Sequence, residues 1–260
     1  MGVVTYVEKD SIPFRMHRPN QPELILASSS PRRQELLRET GVPFQVHAAN
    51  INEDQIAEEA PIEYALRLAR EKAEAVAVRF PQSYVLGADT IVVIDGQVLG
   101  KPRDQKDAAH MLRLLSGREH EVTTAVSLIA PSRAARNTPS PSTIAPSTAA
   151  SNSAAPNAHG ENAAQPNTAV PNTLPHSTVA SGTLAVTRAS TTKVFFREIT
   201  EAEIQQYVAG GEPMDKAGAY AIQGGASRWT DRIEGEFSNV VGLPLSLVTE
   251  MLKTNGLLKS

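Results

Sequence analysis

Cysteine is absent from the 260-residue chain, and its absence excludes several kinds of chemistry. The chain has no disulfide framework, no cysteine-ligated zinc or iron–sulfur centre and no thiol nucleophile. Aromatic residues are few, at 5%, and Trp229 and the tyrosines form no stripe on which nucleic-acid bases could stack. A net charge of −3 gives no general basic footprint for nucleic acid either. We therefore expect no nucleic-acid partner.

Long apolar runs are also missing. No stretch approaches the roughly 18 apolar residues that a membrane span requires. Residues 1–22 contain Glu8 and Asp10 and lack the apolar core of a signal peptide. The histidines show no HxH or HExxH spacing, and the serines at 28–30 lack the GxSxG context of a hydrolase nucleophile. The expectation is a soluble cytoplasmic protein with no membrane partner and no zinc site.

The composition divides the chain. Residues 131–183 are almost entirely Ala, Ser, Thr, Pro and Asn, and they hold eight of the 18 prolines and no aromatic residue. Such a segment cannot bury enough apolar area to offset its ordering entropy, so we expect a disordered insert. The remainder predicts an N-terminal extension at 1–21 and a single domain at 22–258 that the insert interrupts.

Strand-like and helical patterns alternate through that domain, which is typical of an α/β fold. Ser30 and Pro31 suit the start of a helix, Asp95-Gly96 is a hairpin signal, and Thr200 with Glu203 forms a capping box. The patterns predict strands at 24–27, 84–87 continuing at 91–94, 121–129 and 184–197, and helices at 31–41, 62–80, 104–116, 200–210 and 244–252.

The first candidate site is the segment LASSSPRR at residues 26–33. A strand, a loop of small residues and a helix N-terminus together form an anion site, because free amides and the helix dipole point at the ligand. Arg32 and Arg33 lie in the first helical turn, where a cation is unfavourable by ~0.3–1 kcal/mol unless a bound polyanion offsets it. The alternative is a capped surface helix with solvated arginines.

The second candidate is Asp89, which lies between two apolar runs in the sequence GADT. A carboxylate there is costly unless it binds metal, activates water or has partners. The alternative is an aspartate in a bulge or turn that bonds its own backbone. Lys72, Lys101 and Glu53 carry weaker signals: the lysines could neutralise phosphate and Glu53 could bind metal, but taken alone each pattern favours a solvated residue. Lys72 differs in lying at the edge of the apolar face of its helix and not opposite that face.

The third candidate is the glycine-rich stretch 212–244, in which Asp215, Lys216 and Gln223 are embedded. A glycine-dense loop lets the backbone approach a ligand closely. The amide of Gln223 carries a donor and an acceptor, which match the adjacent N–H and C=O of a uracil or thymine edge. The alternative is a β-turn region with incidental charges.

Taken in order, these segments resemble the Maf family of nucleoside triphosphate pyrophosphatases. The resemblance covers roughly residues 22–130 and 184–255; the extension, the insert and Ala221 depart from the family pattern. It implies a Maf/inosine-triphosphatase-like α/β fold, with a mixed twisted sheet, helices on both sides and a deep cleft between two lobes. Family members often form dimers, so the resemblance leaves room for a homodimer. The matching pieces are LILASSSPRRQELL, LRLAREKAEAVA, VLGADTIVVIDGQVLGKPRD, MLRLLSGREHEVTTAVSL, EPMDKAGAYAIQGG and NVVGLPLSLV.

The resemblance implies hydrolysis of a nucleoside triphosphate to the monophosphate and pyrophosphate, assisted by Mg²⁺ or Mn²⁺. Asp89 of GADT matches the proton acceptor that activates water. Glu53 and Asp89 are the carboxylates that could hold the metal, and the sequence leaves open whether Asp89 binds metal, removes the proton or does both. The positions that match substrate selection are Arg32, Thr90 and Gln223. The positions that match phosphate binding are Ser28, Arg33, Lys72, Lys101 and Lys216, and Asp215 matches a further polar position of the cleft.

The specificity that the resemblance implies is for dTTP and UTP. Relatives that act on N7-methyl-GTP differ at the first arginine of SPRR, have GSDQ for GADT, and have an EG pair at Gln223-Gly224. Modified pyrimidine triphosphates are a further option. Two other hypotheses stay open: a nucleotide-binding regulator of cell division in which catalysis is secondary, and an interaction scaffold whose insert recruits partners.

Overall fold

The computed structural model describes residues 23–131 and 184–259, together with a two-residue strand at 177–178. The predictions for the extension 1–21 and for almost all of the insert 131–183 therefore lie outside the described residues. Within those residues, no helix combines the length and the apolar character needed to cross a membrane.

Strands and helices alternate along the described chain, as the patterns predict. The strands are β1 (Leu24–Leu26), β2 (Phe44–Val46), β3 (Tyr84–Ile94), β4 (Gln97–Leu99), β5 (Glu119–Ile129), β6 (Ser177–Thr178), β7 (Leu184–Phe196) and β8 (Thr230–Glu234). The helices are α1 (Pro31–Glu39), α2 (Pro61–Ala77), α3 (Gln105–Leu115), α4 (Glu201–Ala209), α5 (Phe237–Val241) and α6 (Leu245–Thr254). Short 3₁₀ turns occupy much of the stretch between α4 and β8.

The strands form one mixed sheet in the order β2-β1-β3-β5-β7-β6, with β4 beside β3 and β8 beside β7. β1 runs parallel to β2 and β3, and the other pairs are antiparallel. Side chains alternate between the two faces of β3. Val85 and Ile91 pack with α2 on one face, whereas Leu86 and Val92 join the larger core beneath the other helices. The predicted α/β class is confirmed.

Local signals explain most of the element boundaries. Ser30 caps α1, and Gly41 lies just beyond it in the left-handed region, at φ +72°. Asp95 and Gly96 both have positive φ, as a type I′ hairpin requires, and Thr200 closes the predicted capping box. The prediction for α2 was too long, because the helix ends at Ala77 rather than at residue 80. β2, β6, β8 and α5 were not predicted, and β6 lies within the segment 131–183 that was expected to be disordered.

A break in strand pairing lies along one side of β3. β1 pairs with β3 only as far as Leu26 opposite Leu86, and β4 begins to pair at Leu99 opposite Val92. Residues 87–91 are therefore paired with β5 alone among the described strands. The unpaired side of these residues faces the pocket described next.

Candidate active site

A pocket of about 1040 Å³ opens at the break in strand pairing. Its walls come from the β1–α1 loop, α2, β3, the segment after β4, and the 3₁₀ turns before β8. The structure places every sequence-predicted site residue on this wall: Ser28, Arg32, Arg33, Glu53, Lys72, Asp89, Thr90, Lys101, Asp215, Lys216 and Gln223.

Strand alternation sends Asp89 and Thr90 to opposite faces of the sheet. Asp89 points towards α2, and Thr90 points towards the loop before α6. Gly87, two residues before Asp89, lets α2 approach closely: a Cβ there would lie 2.7 Å from the backbone nitrogen of Ala73 and closer still to the carbonyl of Ala69. Helix α2 therefore packs closely against β3 at the turn that carries Lys72.

Lys72 joins two carboxylates at the floor of the pocket. Its Nζ lies 2.6 Å from Oδ1 of Asp89 and 2.8 Å from Oε1 of Glu53, and both Lys72 and Asp89 are buried. Lys101 extends the cluster outward, because its Nζ lies 3.6 Å from Oε2 of Glu53 while the side chain is mostly exposed. The cluster alternates positive and negative charge from the interior to the pocket mouth.

Burial acts differently on the two carboxyl groups. It raises the pKa of Asp89 above the usual range, and the charges of Lys72 and Arg33 only partly oppose it. Burial also tends to raise the pKa of Glu53, but hydrogen bonding and charge from Lys72 and then Lys101 outweigh it, so the pKa of Glu53 is lowered. Asp89, whose pKa is raised, is therefore the better proton acceptor of the two carboxylates.

The N-terminus of α1 forms the adjacent wall. Ser30 Oγ accepts from the backbone N–H of Arg33, and Ser28 Oγ accepts from the N–H of Ser30. The Arg33 side chain turns back across the helix start and donates from Nε to the carbonyl oxygen of Gly242 at 2.8 Å. Burial lowers the pKa of Arg33, and the charges of Asp89 and Glu53 offset part of that effect.

A chain of hydrogen bonds runs from the partly buried Arg33 into the sheet. Arg33 Nη2 donates to Thr90 Oγ1 at 3.0 Å, Thr90 and Thr124 hydroxyls lie 2.9 Å apart, and Thr124 donates to the carbonyl of Asn239 at 2.9 Å. Because Thr124 donates its only hydroxyl proton to the Asn239 carbonyl, Thr90 must be the donor in its hydrogen bond to Thr124. Thr90 therefore presents lone-pair electrons, and no hydroxyl proton, to the pocket.

The remaining predicted residues complete the pocket wall. Lys216 is ion-paired with the exposed Asp215, and that contact lowers the pKa of Asp215. Lys216 Nζ also donates to the main-chain oxygen of Glu212 at 3.4 Å. Gln223 is exposed, in a turn between two 3₁₀ segments, and Arg32 is half-buried in the first turn of α1.

Two interpretations left open by the sequence are wrong. Asp89 lies in regular strand opposite Ala125, so it is not a bulge or turn aspartate. Lys72 is a buried ion-pair partner and not a solvated lysine, because its place at the edge of the apolar face of α2 turns it towards β3. Sequence reasoning missed Thr124 and Asn239, although polar residues within apolar segments were a usable signal.

The donor chemistry of the cluster suits a hard cation. Carboxylate oxygens of Glu53 and Asp89 already bracket one cation, the Lys72 ammonium, and Mg²⁺ is commonly held by one or two carboxylates plus substrate phosphates. Within residues 23–131 and 184–259 no group of three or more His, Cys, Asp or Glu residues could hold a metal alone. A divalent ion there would need ligands from the substrate or water.

Comparisons with known proteins agree on one family. The sequence model of the family described as "Maf-like protein" matches residues 23–152 and 163–255. The chain is 42% identical over 235 residues to the dTTP/UTP pyrophosphatase of Koribacter versatilis (strain Ellin345), covering 90% of this chain and 95% of that protein. It is 41% identical over 240 residues to the dTTP/UTP pyrophosphatase of Geobacter metallireducens (strain ATCC 53774 / DSM 7210 / GS-15), covering 92% and 100%. For the dTTP/UTP pyrophosphatase of Geobacillus sp. (strain WCH70), the identity is 40% over 234 residues, covering 90% and 98%.

Proposed function

Because this chain belongs to the Maf-like protein family, we propose that it hydrolyses dTTP and UTP to the nucleoside monophosphate and pyrophosphate. The observation that carries the proposal is the convergence of all the predicted polar residues on one pocket at the break in the sheet. Modified pyrimidine triphosphates with the same base edge belong to the same substrate class.

The cationic side chains neutralise the triphosphate. Arg33, Lys72 and Lys216 lie inward, and Arg32 and Lys101 lie towards the mouth, so positive charge extends over the length of the pocket. The free amides at the start of α1 add donors for phosphate oxygens. Phosphoryl transfer depends mainly on such positioning and charge stabilisation.

Asp89 accepts the proton of the attacking water. The water oxygen forms a bond to the α-phosphorus while the bond from that phosphorus to the oxygen bridging the β-phosphate breaks, so pyrophosphate leaves. A pKa raised by burial brings the Asp89 carboxylate closer to the working pH of a general base. Lys72, 2.6 Å away, fixes its orientation and favours the ionised form before the proton arrives.

A divalent cation fits the same corner. Glu53 and Asp89 would hold Mg²⁺ or Mn²⁺ together with phosphate oxygens of the substrate. When bound, it supplies Lewis-acid stabilisation of the charge that develops on the phosphates.

Substrate choice rests on Arg32, Thr90 and Gln223. The Gln223 amide can pair with the adjacent N–H and C=O of uracil or thymine. Thr90, whose proton is committed to Thr124, offers an acceptor only. Thr90 points from the face of β3 opposite to Asp89, and Gln223 is exposed. Recognition and proton transfer therefore use different side chains.

The test is a nucleotide panel read for pyrophosphate release with Mg²⁺ or Mn²⁺. We expect release from dTTP and UTP, and a loss of about 10²-fold or more for Asp89→Asn, because general-base help is typically worth ~10²–10⁴ in rate. Asp95→Asn is the matched control, since Asp95 is an exposed hairpin residue paired with Arg118. Orthophosphate as the first product, or a fully active Asp89→Asn variant, would contradict the proposal.

We further propose that residues 22–258 form one domain that the insert 131–183 interrupts without contributing to the pocket. Among the described residues, those on the pocket wall come from 27–122 and 214–242. Ile129 lies opposite Ala185, and the Ala130 N–H donates to the Leu184 carbonyl at 3.0 Å, so β5 and β7 are arms of a hairpin. Replacing 132–182 with a four-residue turn should keep kcat/KM within about threefold, because loop length costs little. A loss greater than tenfold would contradict this.

A further inference from the structure

The turn that carries Gln223 is tied to α4 and the residues after it by two side chains. The Ala221 N–H donates to the hydroxyl oxygen of Tyr207 at 3.0 Å, at the start of the turn. The Gly225 N–H donates to Oε1 of Glu212 at 3.1 Å, at its end. Tyr207 in turn donates its hydroxyl proton to Glu212 Oε1 at 3.0 Å. Both ends of residues 221–225 are therefore bonded to one Tyr207–Glu212 pair.

Residues 224 and 225 of this turn also pack closely against Glu212 and Tyr207. A Cβ at position 224 would lie 2.7 Å from the carboxyl carbon of Glu212 and closer still to Oε1. A Cβ at position 225 would lie 3.1 Å from the Tyr207 ring. The glycines at these two positions let the turn rest directly on the Tyr207–Glu212 pair.

The Tyr207–Glu212 pair is itself rigidly placed. The Tyr207 ring is buried and packs edge-on against Trp229, with ring centroids 4.9 Å apart. Burial raises the pKa of Tyr207 above its usual range, so the hydroxyl keeps its proton and donates it at any working pH. The main-chain oxygen of Glu212 also accepts from Lys216 Nζ at 3.4 Å, which links this support to the phosphate-binding side of the pocket.

Gln223 depends on this support. It is exposed, and no hydrogen bond joins its side-chain amide to another residue in the described ranges. On binding, the Gln223 side chain loses the freedom of its rotatable bonds. An unanchored turn would add to this the entropy cost of ordering its backbone.

We propose that Tyr207 and Glu212 are positioning residues for substrate recognition: they fix the turn at 221–225 so that Gln223 meets the pyrimidine base. The inference rests on the proposed function, because it takes the recognition role of Gln223 from there. Neither residue contacts the reacting phosphorus in the proposed mechanism, so their substitution should change KM, through nucleotide binding, and leave kcat nearly unchanged.

The experiment measures KM and kcat for UTP by pyrophosphate release. Tyr207→Phe keeps the ring against Trp229 but removes the hydroxyl, and with it the hydrogen bonds to the Ala221 N–H and to Glu212. We expect KM to rise about five- to tenfold, with kcat within about twofold. Tyr84→Phe is the matched control, because it removes a buried tyrosine hydroxyl bonded to Asn255 away from the pocket. Glu212→Ala should raise KM similarly, and Glu212→Gln, which keeps an acceptor oxygen, should stay within about twofold of the parent. Thermal unfolding confirms that each variant is folded.

A double-mutant cycle separates positioning from general destabilisation. In a Gln223→Ala background, Tyr207→Phe should raise KM no further, because there is no amide left to place. An unchanged KM in Tyr207→Phe, an equal rise in both backgrounds, or an unchanged KM in Gln223→Ala alone would overturn the inference. A parent enzyme that releases no pyrophosphate from UTP or dTTP would instead overturn the proposed function itself, and the inference with it.

Discussion

Adding one methyl group at Gly87 should disturb both stability and catalysis. In Gly87→Ala the new Cβ would lie 2.7 Å from the Ala73 nitrogen and 2.9 Å from its Cβ, with the Ala69 carbonyl nearer still. Comfortable contacts begin near 3.5 Å, so α2 has to retreat by about 1 Å, because backbone atoms have no rotamer with which to move aside. Overpacking of this kind costs about 1–3 kcal/mol of unfolding free energy.

The same displacement acts on the site through Lys72. Its Nζ lies 2.6 Å from Asp89 and 2.8 Å from Glu53, and a retreat of about 1 Å brings these contacts to the limit of a hydrogen bond. Misplacement on that scale can cost about 10²-fold in rate, so we expect kcat to fall about 10- to 100-fold. Loss of the nearby ammonium should also move the acid limb of the pH–rate profile upward, because Lys72 opposes the rise in the pKa of Asp89.

The assays are urea unfolding and the pH dependence of kcat/KM. Gly100→Ala is the stability control, since a Cβ there meets no atom within 4 Å; its unfolding free energy should change by less than about 0.5 kcal/mol. Parent-like stability and kcat in Gly87→Ala would refute the claim that Gly87 determines how closely α2 packs against β3.

Two further predictions concern buried polar groups. Burial lowers the pKa of His120 to about 4, below the ordinary 6.5. The folded state therefore binds the proton at a lower pH than the unfolded state does, and the free energy of unfolding falls as the pH drops from about 6.5 to 4. His120→Gln should lose about 3 kcal/mol less than the parent between pH 7 and pH 4 in urea unfolding; an equal loss would exclude His120 as the cause. Thr124→Val breaks the chain that orders Thr90, and we expect kcat/KM for UTP to fall about 10-fold while Thr124→Ser stays near the parent. Thr123 lies next to Thr124 on the opposite face of β5, and its hydroxyl is 2.8 Å from that of Thr191 on β7. Thr123→Val should therefore lower stability without changing kcat/KM. Equal kinetic effects in the Thr123 and Thr124 variants would contradict a role for Thr124 in orienting Thr90.

The local parts of this fold could be predicted because their causes lie within a few residues. The helix start at Ser30-Pro31, the Asp95-Gly96 hairpin and the Thr200 capping box each depend on backbone groups at most four positions apart. β8 and α5 gave no such signal. They lie in the glycine-rich stretch, and their place is set by β7 and by the buried Asn239.

The residues that line the pocket could be predicted, but the contacts among them could not. The chemistry of Asp89 and its resemblance to a known motif marked it as a site residue, yet its partner Lys72 is 17 positions away on a helix whose facing depends on the sheet order. Arg33 and Gly242 are 209 positions apart, and Thr124 and Asn239 are 115 apart. Such pairs are fixed by topology, and no spacing rule in the sequence encodes them.

The shortness of β1 explains how neighbouring residues on opposite faces of one strand can serve a single pocket. In a fully paired strand, Asp89 and Thr90 would be separated by the sheet itself, with a partner strand closing the edge between them. β1 stops at Leu26 because the chain turns away at Ser28 to begin α1, and β4 rejoins β3 only at Val92. The edge at 87–91 thus stays open, and the loop that leaves it open is the one that brings Arg33 to Thr90. The small-residue segment at 27–30 therefore has two roles in the proposed function. It is the expected anion site, and by turning away from the sheet it leaves both faces of β3 open to the pocket.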